Sequence, residues 1–207
     1  MKLYYSPGAC SLAPHIALIE AGLEFEREEV DLRTHRTMAG VELERIHGKR
    51  YVPILELDNG ECLTEGPAIL QYIADLEPDT GLVPRPGTMA RYRAYEWLAF
   101  IASELHKPFV LLLTRERWSA ESQHWANRQL GRRFEWINAE LWERPWVAGD
   151  RYSVADTYLF TVARWSECVG LDLSPWPVLQ EYLAKIAARP GVRSAMQAEG
   201  LVQPAAA

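Results

Sequence analysis

The chain contains no Cys-x-x-Cys and no His-Glu-x-x-His. Its three cysteines, Cys10, Cys62 and Cys168, are an odd number without short spacing, and its five histidines are scattered. That excludes a disulfide framework and gives no zinc-ligand signature, so no metal is expected. No uninterrupted apolar run approaches the length of a membrane span, the densest patch being Phe109–Leu113. The N-terminal segment also lacks the long apolar stretch of a signal peptide, so a cytoplasmic protein without a membrane partner is expected. A formal net charge of −6 argues against a general nucleic-acid binder. There is no internal repeat, and low complexity is limited to the short alanine tail.

What is present is ordinary globular material. Of 207 residues, 48% are hydrophobic and 24% charged, enough for two domains or one large one. The eight tryptophans suggest well-filled helix packing. The first third alternates short elements. Lys2–Tyr5 reads as a strand, and Ser11–Ala21 as a helix with Leu12, Ile16 and Ile19 on one face and Gly22 as its stop. A second strand lies within Phe25–Leu32. Ile54–Leu57 and Glu61–Leu63 flank Asp58-Asn59-Gly60, a hairpin signal. Gly66-Pro67 then opens a helix, with glycine as the cap and proline at its first position. These segments make a small mixed sheet with helices packed on it.

Three prolines and two glycines in residues 77–87 read as a linker. Beyond it the strand signal ends. Helices are expected over Thr88–Leu113, about Ser119–Trp142, Ser153–Val169 and Pro177–Ala188, with Pro108 kinking or interrupting the first. Trp97, Ile101 and Leu105 form an apolar stripe on that helix. The Ser153–Val169 helix is apolar nearly all round and is expected to be buried, Cys168 included. Ser153 and Asp156 fit a capping box at its start, with a weak staple between Tyr152 and Thr157.

Three stretches carry chemistry. Cys10 stands before the cap of the first helix, where backbone N–H groups and the positive end of the macrodipole favour thiolate. Gly8 leaves room for a ligand there. Position alone leaves a reactive thiol and an inert half-buried one both open. Pro53, ahead of a strand it cannot join centrally, is either a cis turn exposing the Val52 backbone or an ordinary trans loop proline. Glu65, beside the helix start at Gly66, could hold an ammonium while the helix N-terminus holds a carboxylate. Equally, it could be an acid that compensates the dipole.

Taken together, these segments resemble the glutathione transferases, most closely their bacterial beta class. The matching residues are Y-S-P-G-A-C-S-L-A-P-H at 5–15, Y-V-P at 51–53, L-T-E-G-P-A-I at 63–69, S-E-L-H-K at 103–107, S-V-A-D at 153–156 and D-L-S-P-W-P at 172–177. The resemblance implies an α/β thioredoxin-like N-terminal domain over 1–78, binding glutathione, and an all-α domain over 88–207 carrying a hydrophobic co-substrate pocket. The pocket wall would come from Phe109–Leu113 and the surroundings of Trp165. Glutathione would be a co-substrate and the protein a homodimer. Cys10 and His106 would be the catalytic groups. Tyr5, Cys10, Ser11, His35, Val52, Pro53, Glu65, Gly66, Ser103, His106 and Lys107 would line the glutathione site. Ala99, Ser103 and His106, at i, i+4 and i+7, are expected on one helical face.

Two positions depart from the family pattern: Ala99 stands where asparagine is common, and His35 where lysine is common. The loop I-H-G-K-R-Y-V-P before Pro53 differs as well. The implied activity is conjugation of glutathione to a hydrophobic electrophile, a detoxification chemistry. Thiol–disulfide exchange or reductive dehalogenation through Cys10 is the alternative, with Ala13 where a resolving cysteine would stand. A non-catalytic glutathione- or ligand-binding protein is the alternative from another class.

Overall fold

The computed structural model describes residues 1–203; the alanine tail falls outside them. The described residues pack as two compact units, one of residues 1–82 with 189–203, the other of residues 83–188.

In the first unit, strand β1 (Lys2–Tyr5) leads through a tight loop into helix α1 (Leu12–Glu20), followed by β2 (Glu26–Asp31) and a two-residue β3 (Arg36–Thr37). A one-turn helix α2 (Leu43–Ile46), the hairpin β4 (Ile54–Glu56) and β5 (Cys62–Thr64), and helix α3 (Gly66–Leu76) complete the thioredoxin-like part. The sheet order is β3-β2-β1-β4-β5. Only β1 and β2 are parallel, which requires the crossover that α1 supplies. Gly22 ends α1 with φ +69°, its N–H on Ile19 O at 3.0 Å and that of Leu23 on Leu18 O at 3.1 Å. This pair of bonds satisfies two carbonyls of the last turn, as glycine after a helix permits. Tyr4, Val30, Leu43, Val52 and Ile54 form a core cluster directly beneath the loops that follow β1 and precede β4.

The last helix of the chain, α10 (Pro190–Ala198), packs along α1 and was not foreseen. Arg189 clamps Glu20 with bonds of 3.0 and 2.6 Å. Residues 189–203 therefore pack with the first unit, whereas the sequence reading carried the helical domain to 207, whose last four residues lie outside those described. The pattern that misleads is local: α10 is helical like its predecessors, and its destination is set by its apolar face against α1.

The second unit is helical throughout. Helix α4 (Met89–Phe100) passes into a π-helical stretch (Ile101–His106), which passes into α5 (Lys107–Leu113). Pro108 explains the change. It has no N–H for the Glu104 carbonyl and its ring crowds that carbonyl, so the ladder widens to i→i+5 in the preceding turn. The long α6 (Ala120–Glu143) begins at a Ser119 cap. Helix α7 (Val154–Ala163) is buried at every residue, and α8 (Trp165–Val169) and α9 (Pro177–Ala187) follow. The continuous Ser153–Val169 helix is thus broken at Arg164. Beyond the break only Trp165 and Ser166 stay buried, and Cys168, expected inside, is exposed. Tyr152 and Thr157 meet through a 2.7 Å hydroxyl hydrogen bond in place of an apolar staple.

Asp156 organises the start of α7. Its carboxylate accepts from Val147 N–H (2.9 Å), Ser153 N–H (2.7 Å), the Ser153 hydroxyl (2.9 Å) and the Tyr182 hydroxyl (2.6 Å). Burial holds this carboxyl above the usual range, against the lowering pull of those bonds. An acid with its folded pKa above the unfolded value binds its proton more tightly in the native state. Stability then falls as pH rises from about 4 toward the folded value and levels off above it. Asp156→Asn is expected to flatten that slope in urea unfolding from pH 4 to 8. Asp156→Ala, which strands several buried donors, is expected to cost about 3 kcal/mol or more. An unchanged slope in Asp156→Asn would remove Asp156 as its source.

Candidate functional site

Within the first unit, the loop from Tyr5 to Ser11 is closed on itself. The Ser11 hydroxyl accepts from Ser6 N–H at 3.1 Å and donates to Ser6 O at 3.2 Å. Ser11 is fully buried and caps α1 by position, without a side-chain bond to the helix. Its side chain shapes the loop instead. Gly8 has φ +71°, and a Cβ there would lie 3.3 Å from Leu201. Its N–H donates to Glu199 at 2.8 Å, and the other oxygen of the same carboxylate meets His15 Nδ1 at 2.7 Å. Tyr5 is buried, with its ring 6.0 Å from that of His15 and its hydroxyl on Glu29 at 3.5 Å. Burial pushes its phenol up, which keeps it a proton donor.

Cys10 is half-buried, and its thiol donates to the Val52 carbonyl at 3.4 Å. The Val52–Pro53 bond is cis, the first of the two arrangements that the sequence left open. Tyr51, next in the same loop, donates its hydroxyl to Glu65 at 2.5 Å, and Lys49 meets the same oxygen at 2.6 Å. The chain of contacts therefore runs from Cys10 through the Val52 loop to Glu65. Hydrogen bonding to Glu65 pushes the Lys49 ammonium and the Tyr51 phenol up. Glu65 itself has φ +72° and occupies the cap of α3, so Gly66 is the first helical residue and Pro67 the second, one place later than expected. The Glu65 carbonyl takes the N–H groups of Ala68 and Ile69. Since proline has none, the donor left over at this helix start is the N–H of Gly66. His35, also at positive φ, turns Nδ1 to the Arg50 carbonyl at 3.1 Å, and Arg50 is the third non-glycine residue at positive φ.

In the second unit the expected face does not hold together. His106 bonds the Tyr158 hydroxyl at 2.7 Å, and its ring lies 5.0 Å from that of Trp165. Ser103 and Lys107 line a cleft against α6 instead, and the Ser103 hydroxyl donates to Ala99 O at 3.0 Å. The π-helical turn is the cause. A wider turn rotates less per residue, so positions i, i+4 and i+7 no longer stack. The even spacing of Trp97, Ile101 and Leu105 survives it, and all three are buried. Trp165 and Phe109 are buried as well, beside exposed Val110 and Leu113.

Sequence reasoning missed Glu199, His15 and Tyr158. His15 closes the matching 5–15 motif without a role attached to it, and nothing local marks the other two: Glu199 is 191 positions from Gly8, and Tyr158 is one aromatic among the apolar residues of α7. Lys49 lies in a loop noted for its departure from the family pattern, and Tyr51 entered as the first residue of the matching Y-V-P, without a role. Cys62 is half-buried in β5, and burial, with Glu56 nearby, pushes its thiol up. Among the described residues no group of three His, Cys, Asp or Glu could hold a metal ion.

The description "Glutathione S-transferase, N-terminal domain" matches residues 8–76, and "Glutathione S-transferase, C-terminal domain" matches residues 100–190. The chain belongs to the glutathione S-transferases. It is 42% identical to glutathione S-transferase GstA of Escherichia coli O157:H7, over 97% of this chain and 100% of that one. The solved ternary complex of BphK, a bacterial glutathione S-transferase, is 49% identical with a TM-score of 0.95, covering 97% of this chain and 100% of that one. A sphingomonad glutathione S-transferase complexed with glutathione and the beta-class enzyme of Sphingomonas chungbukensis are each 46% identical with a TM-score of 0.93. Each covers 98% of this chain and 100% of its own. The fold of this transferase chain is therefore the one the resemblance implied, with a thioredoxin-like α/β unit and a helical unit.

The Gly8 loop is the most constrained backbone at the site. Gly8→Ala is expected to lower the unfolding free energy by about 1–2 kcal/mol, from the left-handed φ alone, with a further contribution from Leu201. Chemical denaturation measures it. A variant as stable as the parent would mean that the loop adopts another conformation.

Proposed function

We propose that the protein binds glutathione in its first unit and transfers the glutathione sulfur to a hydrophobic electrophile. The observation that carries this reading is the contact chain Cys10–Val52–Tyr51–Glu65, which places a thiol, a backbone edge beside a cis-proline and a carboxylate along one path. On this reading Glu65 holds the γ-glutamyl ammonium, Gly66 meets the γ-glutamyl carboxylate, and the Val52 backbone pairs with the cysteinyl unit. Tyr5, Ser11, His35 and Pro53 shape the surroundings. The apolar co-substrate pocket that the resemblance implies near Phe109–Leu113 and Trp165 lies within the second unit. The glutathione thiolate forms the new S–C bond, and the electrophile's leaving group departs with its electron pair.

The Cys10 contact adds a step. Its S–H occupies the Val52 carbonyl that a cysteinyl N–H of glutathione would need. Binding would turn the Cys10 thiol away from that carbonyl and toward the arriving sulfur. This supports a second reading, in which Cys10 attacks a glutathione-bearing disulfide, forms a mixed disulfide and is released by a second glutathione thiolate. Cys10→Ala separates the two: conjugation to an aryl halide survives in part, whereas mixed-disulfide reduction disappears. Loss of both would make Cys10 essential to conjugation itself.

A homodimer and a cytoplasmic location go with this reading. Exposed Trp136, stacked on Trp97 at 5.1 Å and against Phe100 at 4.9 Å, offers an aromatic surface for a second copy. Sedimentation at micromolar concentration showing a monomer would count against the dimer. Among the described residues no helix is long and apolar enough to cross a membrane.

Two measurements test the site. Glu65→Ala is expected to weaken glutathione binding by about 1–2 kcal/mol, roughly five- to thirtyfold in Kd, the range of a hydrogen bond to a charged group at a half-exposed carboxylate. Unchanged affinity in calorimetry removes Glu65 from the site. Alkylation below the ordinary thiol pKa, mapped by mass spectrometry, is expected to label Cys10 and to be blocked there by glutathione. Cys168, being exposed, is expected to label without protection, and Cys62 slowly. Labelling of Cys10 that glutathione leaves unchanged would separate the thiol from the ligand.

A further inference from the structure

Lys49, in the loop before cis-Pro53, sets its ammonium 2.6 Å from one oxygen of Glu65, and the Tyr51 hydroxyl donates to that same oxygen at 2.5 Å. We infer that Lys49 is a specificity-determining residue: it stands where a ligand ammonium would go, and it yields to a ligand end that carries both an ammonium and a carboxylate. The inference rests on the reading of Glu65 as the holder of that ammonium.

The balance of charge around Glu65 decides which ligand can enter. The carboxylate already has a counter-charge in Lys49, and hydrogen bonding to Glu65 pushes that ammonium up, so it is charged at neutral pH. A second ammonium brought to the same carboxylate leaves one positive charge in excess, and the two cations repel. A carboxylate alone can reach Lys49 only by taking it from Glu65, which then faces the ligand unpaired. An amino-acid end brings both charges. Its ammonium takes the place of Lys49 on Glu65, and its carboxylate receives the displaced Lys49 ammonium beside the N–H of Gly66. One ion pair becomes two, and the net charge of the site is unchanged. Selection of this kind works by penalising the wrong ligand as much as by rewarding the right one.

The group that must move is free to do so. The side chains of Lys49 and Glu65 are 42% and 54% exposed, and an ion pair in that setting is screened and weak. Lysine carries its charge on a flexible four-carbon stem. The backbone beneath it is held. The Lys49 N–H donates to His47 Nδ1 at 3.3 Å, and Arg50, at φ +58°, has its carbonyl taken by His35 Nδ1 at 3.1 Å. The Tyr51 ring lies 5.9 Å from Lys49 Nζ, within the range of a cation–π contact. Tyr51 keeps its own bond to Glu65 during the exchange, so the carboxylate stays aimed while one side chain swings.

Calorimetric titration of the full chain with S-methyl thioethers tests the exchange. The ligands are S-methylglutathione, its 4-aminobutyryl analogue, which lacks the α-carboxylate, and its glutaryl analogue, which lacks the ammonium. The methyl group keeps disulfide chemistry at Cys10 out of the measurement. Lys49→Met is expected to shift the two analogues in opposite directions. The 4-aminobutyryl analogue binds it about threefold or more tightly than the parent, because the competing ammonium is gone. The glutaryl analogue binds it about threefold or more weakly, because Glu65 now lacks its counter-charge. Threefold is the scale of one half-exposed charge pairing. The 4-aminobutyryl ligand decides alone where the glutaryl one binds too weakly to measure. Lys49→Arg, which keeps the charge, is expected to retain the parent's order. A merely structural Lys49 would shift all three ligands the same way, and that result overturns the inference. So does an unchanged affinity of both analogues in Lys49→Met, or a Lys49→Arg that behaves like Lys49→Met. Glu65→Gln separates the two levels. If it leaves S-methylglutathione binding unchanged, Glu65 does not hold the ligand and both readings fall. If it weakens that binding while Lys49→Met moves the analogues together, the glutathione site stands and only the Lys49 exchange falls.

Discussion

One buried carboxylate near the end of the chain fixes the loop at its beginning. Glu199 and His15 are both buried, and the two oxygens of Glu199 divide between His15 and the backbone N–H of Gly8. A buried carboxylate is tolerated only when it is paired and hydrogen-bonded, so this arrangement is all-or-none. If α10 leaves α1, the carboxylate loses both partners, and the Gly8 N–H loses its acceptor and Gly8 the cover of Leu201. The conformation of the loop that carries Cys10 therefore depends on a helix nearly two hundred residues away in sequence. The Arg189–Glu20 clamp acts at the other end of the same packing.

A second constraint is backbone strain, and it gathers around the same region. His35, Arg50 and Glu65 are the non-glycine residues at positive φ among those described. Each costs on the order of 1–3 kcal/mol and persists only where its surroundings overdetermine it. The surroundings are visible: His35 is tied to the Arg50 carbonyl, and the Glu65 carboxylate is held by Lys49 and Tyr51 while its carbonyl holds the first turn of α3. A side chain that projects from a strained cap is aimed by the backbone as well as by its own partners. On the proposed reading, that would be preorganisation for a ligand ammonium, obtained without burying the carboxylate.

The elements that were legible in the sequence are those whose signals are local. The Lys2–Tyr5 strand, the Asp58-Asn59-Gly60 hairpin, the Gly22 stop and the Ser153–Asp156 box each rest on a few neighbouring residues, and each is present. The breaks were harder. Arg164 carries no breaker residue, so nothing announces that α8 separates from α7 or that Cys168 turns to solvent. Pro108 announced an interruption but not its kind, and the kind decides which side chains share a face. At the candidate site, Cys10, Val52 and Glu65 were legible because motif and element boundary coincide. Their holders, Glu199, Lys49 and Tyr51, were not, because a hydrogen bond or ion pair between distant segments has no spacing in sequence to betray it.

The π-helical turn shows how one missing N–H redirects the side chains of a whole helical segment. Had Ile101–His106 been α-helical, Ser103 and His106 would face the same way, and the segment would present one polar face and one apolar stripe. With Pro108 in place, the buried stripe through Trp97, Ile101 and Leu105 is kept, because its spacing tolerates the wider turn, while the polar positions fan apart. His106 is carried to the aromatic pair Tyr158 and Trp165, where its ring is oriented by a hydroxyl. Lys107 is carried to the tryptophan-lined cleft on α6, where its charge goes without an ion-pair partner among the described residues. Core packing is therefore satisfied on either winding of this helix, and a single proline decides which recess each polar side chain faces.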